Sequence, residues 1–194
     1  MEIILKKNFY LQRVIRKLTI GFIGNSGKNF YGRITVFHRS NNYSMQKRII
    51  DYKRIFCSEA TLFLVEKKPL HTCFIGLLFY FFGVFSYILS SENLKVGGYY
   101  KGFCWNFQKK ENFSSFLHNF TRGVWIHHIE LKPGSGGILS RAAGTGSFIY
   151  SKLDKFTFLK ISSGKIAKLS QFCVGVSGFV SNKHHHLKKK KKQE

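Results

Sequence analysis

Short alternating segments set the pattern of this chain. Gly32-Arg-Ile-Thr-Val-Phe-His38 and Arg48-Ile-Ile-Asp-Tyr-Lys-Arg54 are β-branched or aromatic and bounded by turn formers, with the polar loop Arg39–Ser44 between them. That pattern predicts two strands. Gly146–Ser151, Lys155–Ile161 and Lys165–Leu169 repeat it, separated by Leu153-Asp154 and Ser162-Ser-Gly164. Strands this close, joined by such short turns, predict a small meandering barrel. Lys109–Arg122 is polar and aperiodic and reads as a linker between two domains. Cys73–Leu89 runs seventeen residues without a charge. It fits a membrane span at the lower length limit, or two buried strands joined at Phe82-Gly83. The pattern alone leaves both open.

Charge changes the picture more than composition does. The chain has 194 residues, 44% of them hydrophobic and 16% aromatic, enough for a packed core. It carries 32 Lys+Arg against 9 Asp+Glu, a formal net charge of +23. A surface so cationic repels itself and implies a polyanionic partner, nucleic acid or an anionic membrane. Residues 1–60 hold 12 Lys/Arg and 3 carboxylates, residues 121–194 hold 14 and 3, and the middle holds 6 and 3. Two basic ends therefore flank an apolar centre. Lys183–Glu194, with its three histidines and five consecutive lysines, buries nothing and reads as a basic tail.

Candidate chemistry is sparse. Nine scattered carboxylates give little material for acid/base catalysis, and no enzyme is expected. Cys57, Cys73, Cys104 and Cys173 contain no Cys-x-x-Cys, so all four are read as reduced thiols with no metal role. Cys104 lacks a neighbouring base. The His triplet has no metal-ligand spacing, and neither metal nor cofactor is expected. Gly21–Lys28 fails as a phosphate loop at Phe22 and Asn29, and reads as a flexible basic loop. His127-His128 reads as part of a surface strand. Lys132-Pro-Gly-Ser-Gly-Gly137 and Arg141-Ala-Ala-Gly-Thr145 are different. Their glycines permit close approach to phosphate, their backbone N–H groups read as exposed, and Lys132 and Arg141 supply charge.

At these residues the chain resembles the universal large-subunit ribosomal protein family designated L-two. Gly32–Arg39 and Arg48–Arg54 look like its first signature. Tyr87-Ile-Leu with Leu94-Lys-Val-Gly97 is similar to the edge of its first barrel. Ile129–Thr145 is the most specific stretch, and Ser163-Gly164, Cys173, Gly178, Asn182 and His185 continue the correspondence. The resemblance covers residues 25–186. Arg33-Ile-Thr-Val-Phe-His38 is especially similar to plant and protist mitochondrial members.

The resemblance implies an all-β chain, an OB-fold barrel followed by an SH3-like barrel, with basic N- and C-terminal extensions. The implied boundaries are 1–31 for the extension, 32–112 for the OB-fold RNA-binding domain, 113–122 for the linker, 123–182 for the SH3-like barrel and 183–194 for the tail. It makes Phe74–Leu89 a hairpin. It implies a structural role in the large subunit, in subunit association and around the peptidyl-transferase region. The implied partners are large-subunit ribosomal RNA and neighbouring ribosomal proteins. RNA-contacting positions carried over are Arg33, His38, Arg39, Arg48, Lys53, Arg54, His71, Lys132, Gly134, Gly136, Gly137 and Arg141.

Three departures stand out. Ser40-Asn-Asn42 replaces the family's triple glycine, and Lys68-Pro-Leu-His71 replaces Asp-Pro-Asn-Arg, leaving His71 as a weaker cation. The family's glycine-rich C-terminal extension does not follow the second barrel, so a separately encoded C-terminal half is expected as a partner. The N-terminus has no secretory h-region, although Val14–Leu18 is weakly like a transit peptide. Abundant Phe, Ile, Lys, Asn and Tyr point to A/T-rich coding such as an organelle's. With the resemblance to mitochondrial members, the expected location is the mitochondrial matrix and its ribosome, with a plastid as alternative. The competing functions are a single-span organellar membrane protein anchored by residues 70–89 and a free OB-fold protein that binds single strands.

Overall fold

Fourteen strands and two 3-10 turns make up the regular structure of the computed structural model, which describes residues 16–22, 24–39, 45–54, 56, 58–67, 71–103, 112–185 and 187. Ser40–Asn42, Cys57, Lys68–Leu70, Cys104 and the lysine run 188–192 lie outside the described residues. The chain divides into two compact units, Met1–Ile49 and Ile50–Glu194.

In the first unit a 3-10 turn at Arg16–Leu18 leads into β1 (Thr19–Phe22), which pairs antiparallel with β2 (Met45–Arg48). Gly21 and Phe22, expected in a flexible loop, thus lie in a strand. The strand expected over Gly32–His38 does not form. Only Ile34 makes a bridge, to Lys28, because the segment folds back so that the Gly27 carbonyl accepts from the Thr35 and Val36 amides. Positive φ angles at Gly32 and His38 end the extended path on either side.

The second unit opens with another departure. The strand expected over Arg48–Arg54 stops at Arg48. Asp51 explains the break: its carboxylate accepts from the Lys53 and Arg54 amides at 3.1 and 2.8 Å, an Asx-type turn that leaves Arg54 at φ +51°. Beyond it come β3 (Glu59–Lys67), β4 (Phe74–Tyr80), β5 (Phe85–Leu89) and β6 (Tyr99–Lys101), in the sheet order β5-β4-β3-β6. β3 alternates, turning Ala60, Leu62 and Leu64 inward. β4 is buried at Ile75 through Leu78 and at Tyr80, so both its faces are covered. That is why its sequence reads as a continuous apolar run. The membrane-span reading of residues 70–89 is corrected accordingly: 74–80 and 85–89 are hairpin strands, turning at Gly83 with φ +84°. Among the described residues, no helix is long and apolar enough to cross a membrane. Leu62, Leu78, Tyr80, Ile88 and Tyr100 form the sheet's core.

The remaining strands are β7 (Ser114–Phe116), β8 (Trp125–His127), β9 (Ile129–Glu130), β10 (Gly137–Leu139), β11 (Ser147–Lys152), β12 (Phe156–Lys160), β13 (Ile166–Ser170) and β14 (Val174–Ser177). Six of them form one sheet in the order β13-β12-β11-β8-β14-β7, and β9 pairs with β10. The meander expected between residues 146 and 169 is β11, β12 and β13. Residues 113–122, expected as linker, instead supply β7 and a 3-10 turn at Leu117–Asn119. Their polar look conceals Leu117 and Phe120, both fully buried with Ile126, Ile129, Ile149 and Leu159. Cys73 and Cys173 are both buried.

The four-stranded and six-stranded sheets of this unit are joined through their flanking loops. Ser91 bridges Val180, the Ser181 amide donates to Ser90 O, and Ser181 Oγ accepts from the Phe74 amide. These bonds fix the loops at residues 71–73 and 141–145 beside each other, where the Ala143 amide donates to Thr72 Oγ1 at 3.1 Å.

Candidate nucleic-acid interface

The Gly-rich loop after β9 is organised around a buried carboxylate. Glu130 is 3% exposed. Its oxygens accept from the amides of Gly134 at 3.2 Å, Gly136 at 2.9 Å and Val174 at 3.0 Å. The Gly137 amide donates to Tyr52 O at 2.8 Å and the Ser135 amide to Lys132 O at 3.1 Å. The expectation that these N–H groups are open to phosphate is therefore corrected: they point inward and are already bonded. Gly137 is required by packing, since a Cβ there would lie 2.5 Å from the His128 ring. The loop contributes shape, while the exposed Lys132 within it contributes charge.

Beside this loop a stack runs from the surface inward. The exposed Arg141 guanidinium lies 5.0 Å over the Tyr52 ring. Tyr52 sits 5.8 Å from His128, and His128 Nδ1 accepts from Arg54 Nε at 3.1 Å. Arg54 Nη1 in turn donates to the Tyr100 hydroxyl. Since Nδ1 accepts, the His128 proton is on Nε2. Burial and the adjacent Arg54 charge hold the His128 pKa well below its usual value. Burial raises that of the Tyr52 hydroxyl, partly offset by Arg141. Ser140, at φ +53°, turns the chain just ahead of Arg141, and its hydroxyl meets that of Ser147 at 2.7 Å.

The carried-over positions divide three ways. Lys53, Lys132 and Arg141 are exposed cations: Arg141 lies over Tyr52, the Lys53 side chain would meet a Cβ on Gly136 at 3.3 Å, and Lys132 stands in the same loop as Gly136. His71 is half-buried next to Thr72 and the Ala143 loop. Arg54 is a correction: at 3% exposure it is turned into the protein, where it supports His128 and Tyr100 instead of meeting solvent. The first unit holds Arg33, His38 and Arg39, all exposed, and Arg48 on β2, partly covered.

His127 and His128, expected on a surface strand, are both buried. His127 Nδ1 donates to Gly178 O at 3.0 Å and Nε2 accepts from Ser91 Oγ at 3.2 Å. Burial first, and Arg54 second, push its pKa down to about 3. Sequence reasoning missed Tyr52 and His128 as supports of the interface. The available signal was a buried-sized aromatic directly beside Asp51, a turn former.

Residues 15–100 match the family described as Ribosomal Proteins L2, RNA binding N-terminal domain, and residues 112–193 match Ribosomal Proteins L2, C-terminal domain. The chain belongs to the ribosomal protein L2 family. It is 36% identical over 183 residues to the large ribosomal subunit protein uL2 of Orientia tsutsugamushi (strain Ikeda), across 93% of this chain and 66% of that protein. It thus spans a little under two-thirds of that relative's length. In this L2-family chain the four-stranded sheet lies in the N-terminal match and the six-stranded sheet in the C-terminal one, the OB-fold and SH3-like parts of an all-β protein. The C-terminal match begins at residue 112, ahead of β7, in keeping with the structural role of residues 113–122.

Proposed function

We propose that this L2-family chain is a structural, non-catalytic RNA-binding protein of the large ribosomal subunit, working in an organelle, the mitochondrion before the plastid. The observation that carries the RNA reading is the exposed Lys53–Lys132–Arg141 group, built on internally satisfied backbone, in a chain of the L2 family. Such a surface neutralises phosphates without needing to rearrange. Support for the mitochondrial part is the A/T-biased composition and the Arg33–His38 phrase. Its partners in this reading are large-subunit ribosomal RNA and neighbouring ribosomal proteins, and Arg33, His38, Arg39, Arg48, Lys53, His71, Lys132 and Arg141 are the candidate contacts. Gly134, Gly136 and Gly137 shape the loop that carries Lys132.

Sedimentation of organelle lysates tests the reading. The chain should travel with large-subunit particles and be released by rising salt, with affinity falling by roughly 0.7–0.9 log units per phosphate contact per log unit of salt. Migration outside those particles, under conditions that retain other subunit proteins, would exclude it.

A further inference from the structure

The first unit carries a feature that the Arg141 surface does not explain. Between Lys28 and Ile34 the chain forms a narrow hairpin, closed by backbone bonds and by Asn29, whose Oδ1 accepts from the Arg33 amide at 3.0 Å. The Asn29 amide donates to Arg33 O at 2.8 Å and the Gly32 amide to Asn29 O at 3.0 Å. At its base the Gly27 carbonyl accepts from the Thr35 amide, the Val36 amide and Thr35 Oγ1. A Cβ at Gly27 would lie 2.1 Å from Val36 O, so the closure demands glycine. At the tip stand Phe30, 97% exposed, and Tyr31, 84% exposed. Their rings meet edge to face, at 5.7 Å and 82°, which leaves broad ring faces open. Ile34, Val36 and Phe37 are also exposed close by. Single exposed apolar residues need no explanation, but two bare aromatics on a built tip do.

Charge identifies the occupant. No carboxylate occurs between residues 3 and 50, a stretch with ten Lys/Arg. Lys28 and Arg33 lie in the hairpin and Arg39 follows it, its Cβ 3.3 Å from a Cβ placed on Gly27; all three are exposed. A groove of about 420 Å³ beside the tip is lined by Asn25, Ser26, Lys28 and Asn29 along with Phe30. Flat rings flanked by cations and amides suit a nucleobase on its sugar-phosphate chain: the ring takes the base face and the cations take the phosphate.

We infer that Phe30 and Tyr31 form a stacking site for unpaired RNA bases at the tip of this hairpin. The inference rests on the RNA-binding reading above and adds the base class and the residues. A base inside a duplex offers no free face, so the site selects loops, bulges and single strands.

The test uses the full chain, with a short unstructured RNA carrying a fluorescent base analogue and the same RNA annealed into a duplex. The wild type should quench the analogue in the single strand. Phe30→Ala with Tyr31→Ala should abolish quenching and weaken single-strand binding about ten-fold to a hundred-fold per stacked base, with duplex binding little changed. The fold should be intact by circular dichroism, because neither side chain is packed. Phe30→Trp with Tyr31→Trp should bind as the wild type. Phe30→Leu with Tyr31→Leu should behave like the alanine pair, since it keeps apolar area but no ring face. Full affinity in the alanine pair, or rescue by leucine, would overturn stacking while leaving RNA binding in place. No salt-dependent RNA binding by the wild type would overturn the RNA reading itself, and this inference with it.

Discussion

The two cationic surfaces of this chain are built on opposite plans. Around Arg141 every element of the loop is tied down: Glu130 holds the Gly134 and Gly136 amides, Tyr52 O holds Gly137, and the Tyr52 ring underlies the guanidinium. In the hairpin at residues 28–34 the backbone is closed, yet the side chains that would meet a partner touch almost nothing. One surface has its geometry before any partner arrives; the other has only its scaffold. A preformed surface loses less side-chain freedom on binding, so more of its contact energy is expressed as affinity. The bare tip instead gains most from removing aromatic area from water when a partner covers it.

Glu130→Ala should be the most damaging way to break this comparison. It orphans the amides of Gly134, Gly136 and Val174 around a carboxylate that is 3% exposed. The expected loss is about 3–5 kcal/mol, measured by urea unfolding. A loss under about 1 kcal/mol would mean that the loop does not depend on its carboxylate, and the contrast with the hairpin would fail.

Glycines in the same loop grade the effect. Gly137→Ala drives a methyl against the His128 ring, which is held between Tyr52 and Arg54, and should cost about 2–3 kcal/mol. Gly134 has open space around its Cβ position but φ of +76°, so Gly134→Ala should cost only about 1 kcal/mol of backbone strain. Equal losses at the two positions would show that packing on His128 is not what fixes the loop.

How much of this was readable beforehand depended on range. The hairpin 74–89 and the meander 147–170 are local, with turn signals and alternation in one stretch, and the sequence reading met them closely. The Arg33–His38 and Arg48–Arg54 segments looked like strands because β-branched residues line them, but a single carboxylate at Asp51 and the Gly27 closure bend both. The Arg141 cation was visible; its support was not, because Tyr52, His128 and Arg54 meet it only through folding. Arg54 and Arg141 are both arginines near glycine or turn residues in the sequence. Only burial separates a cation that holds the site from one that presents it.

Acid should act on the supported region through its histidines. Above about pH 6.5 His127 is neutral both folded and unfolded, and its contribution is complete. As pH falls, the unfolded imidazole takes up a proton that the buried one, held down to about 3, refuses. Stability should therefore drop by about 1.4 kcal/mol per pH unit for His127, from pH 6.5 toward 3, with His128 adding in the same direction. Urea midpoints at a series of pH values measure the slope. His127→Gln should start less stable at neutral pH and decline less steeply. An unchanged slope in that variant would remove His127 from the account.

The finest distinction concerns Tyr52. If the guanidinium is positioned by the ring beneath it, then Tyr52→Phe should leave RNA affinity unchanged, since the ring remains. Tyr52→Leu should weaken binding by about 0.5–1 kcal/mol, the scale of a cation–π contact near the surface. Arg141→Ala, which removes the charge as well, should cost about 1–3 kcal/mol. In the Tyr52→Leu background Arg141 becomes a cation without its aromatic floor. Combining the two changes should then cost no more than Arg141→Ala alone, because the tyrosine acts only through the arginine. Filter binding at fixed salt decides the matter. Full additivity would mean that Tyr52 meets the RNA itself, and the supported surface would share the aromatic strategy of the tip.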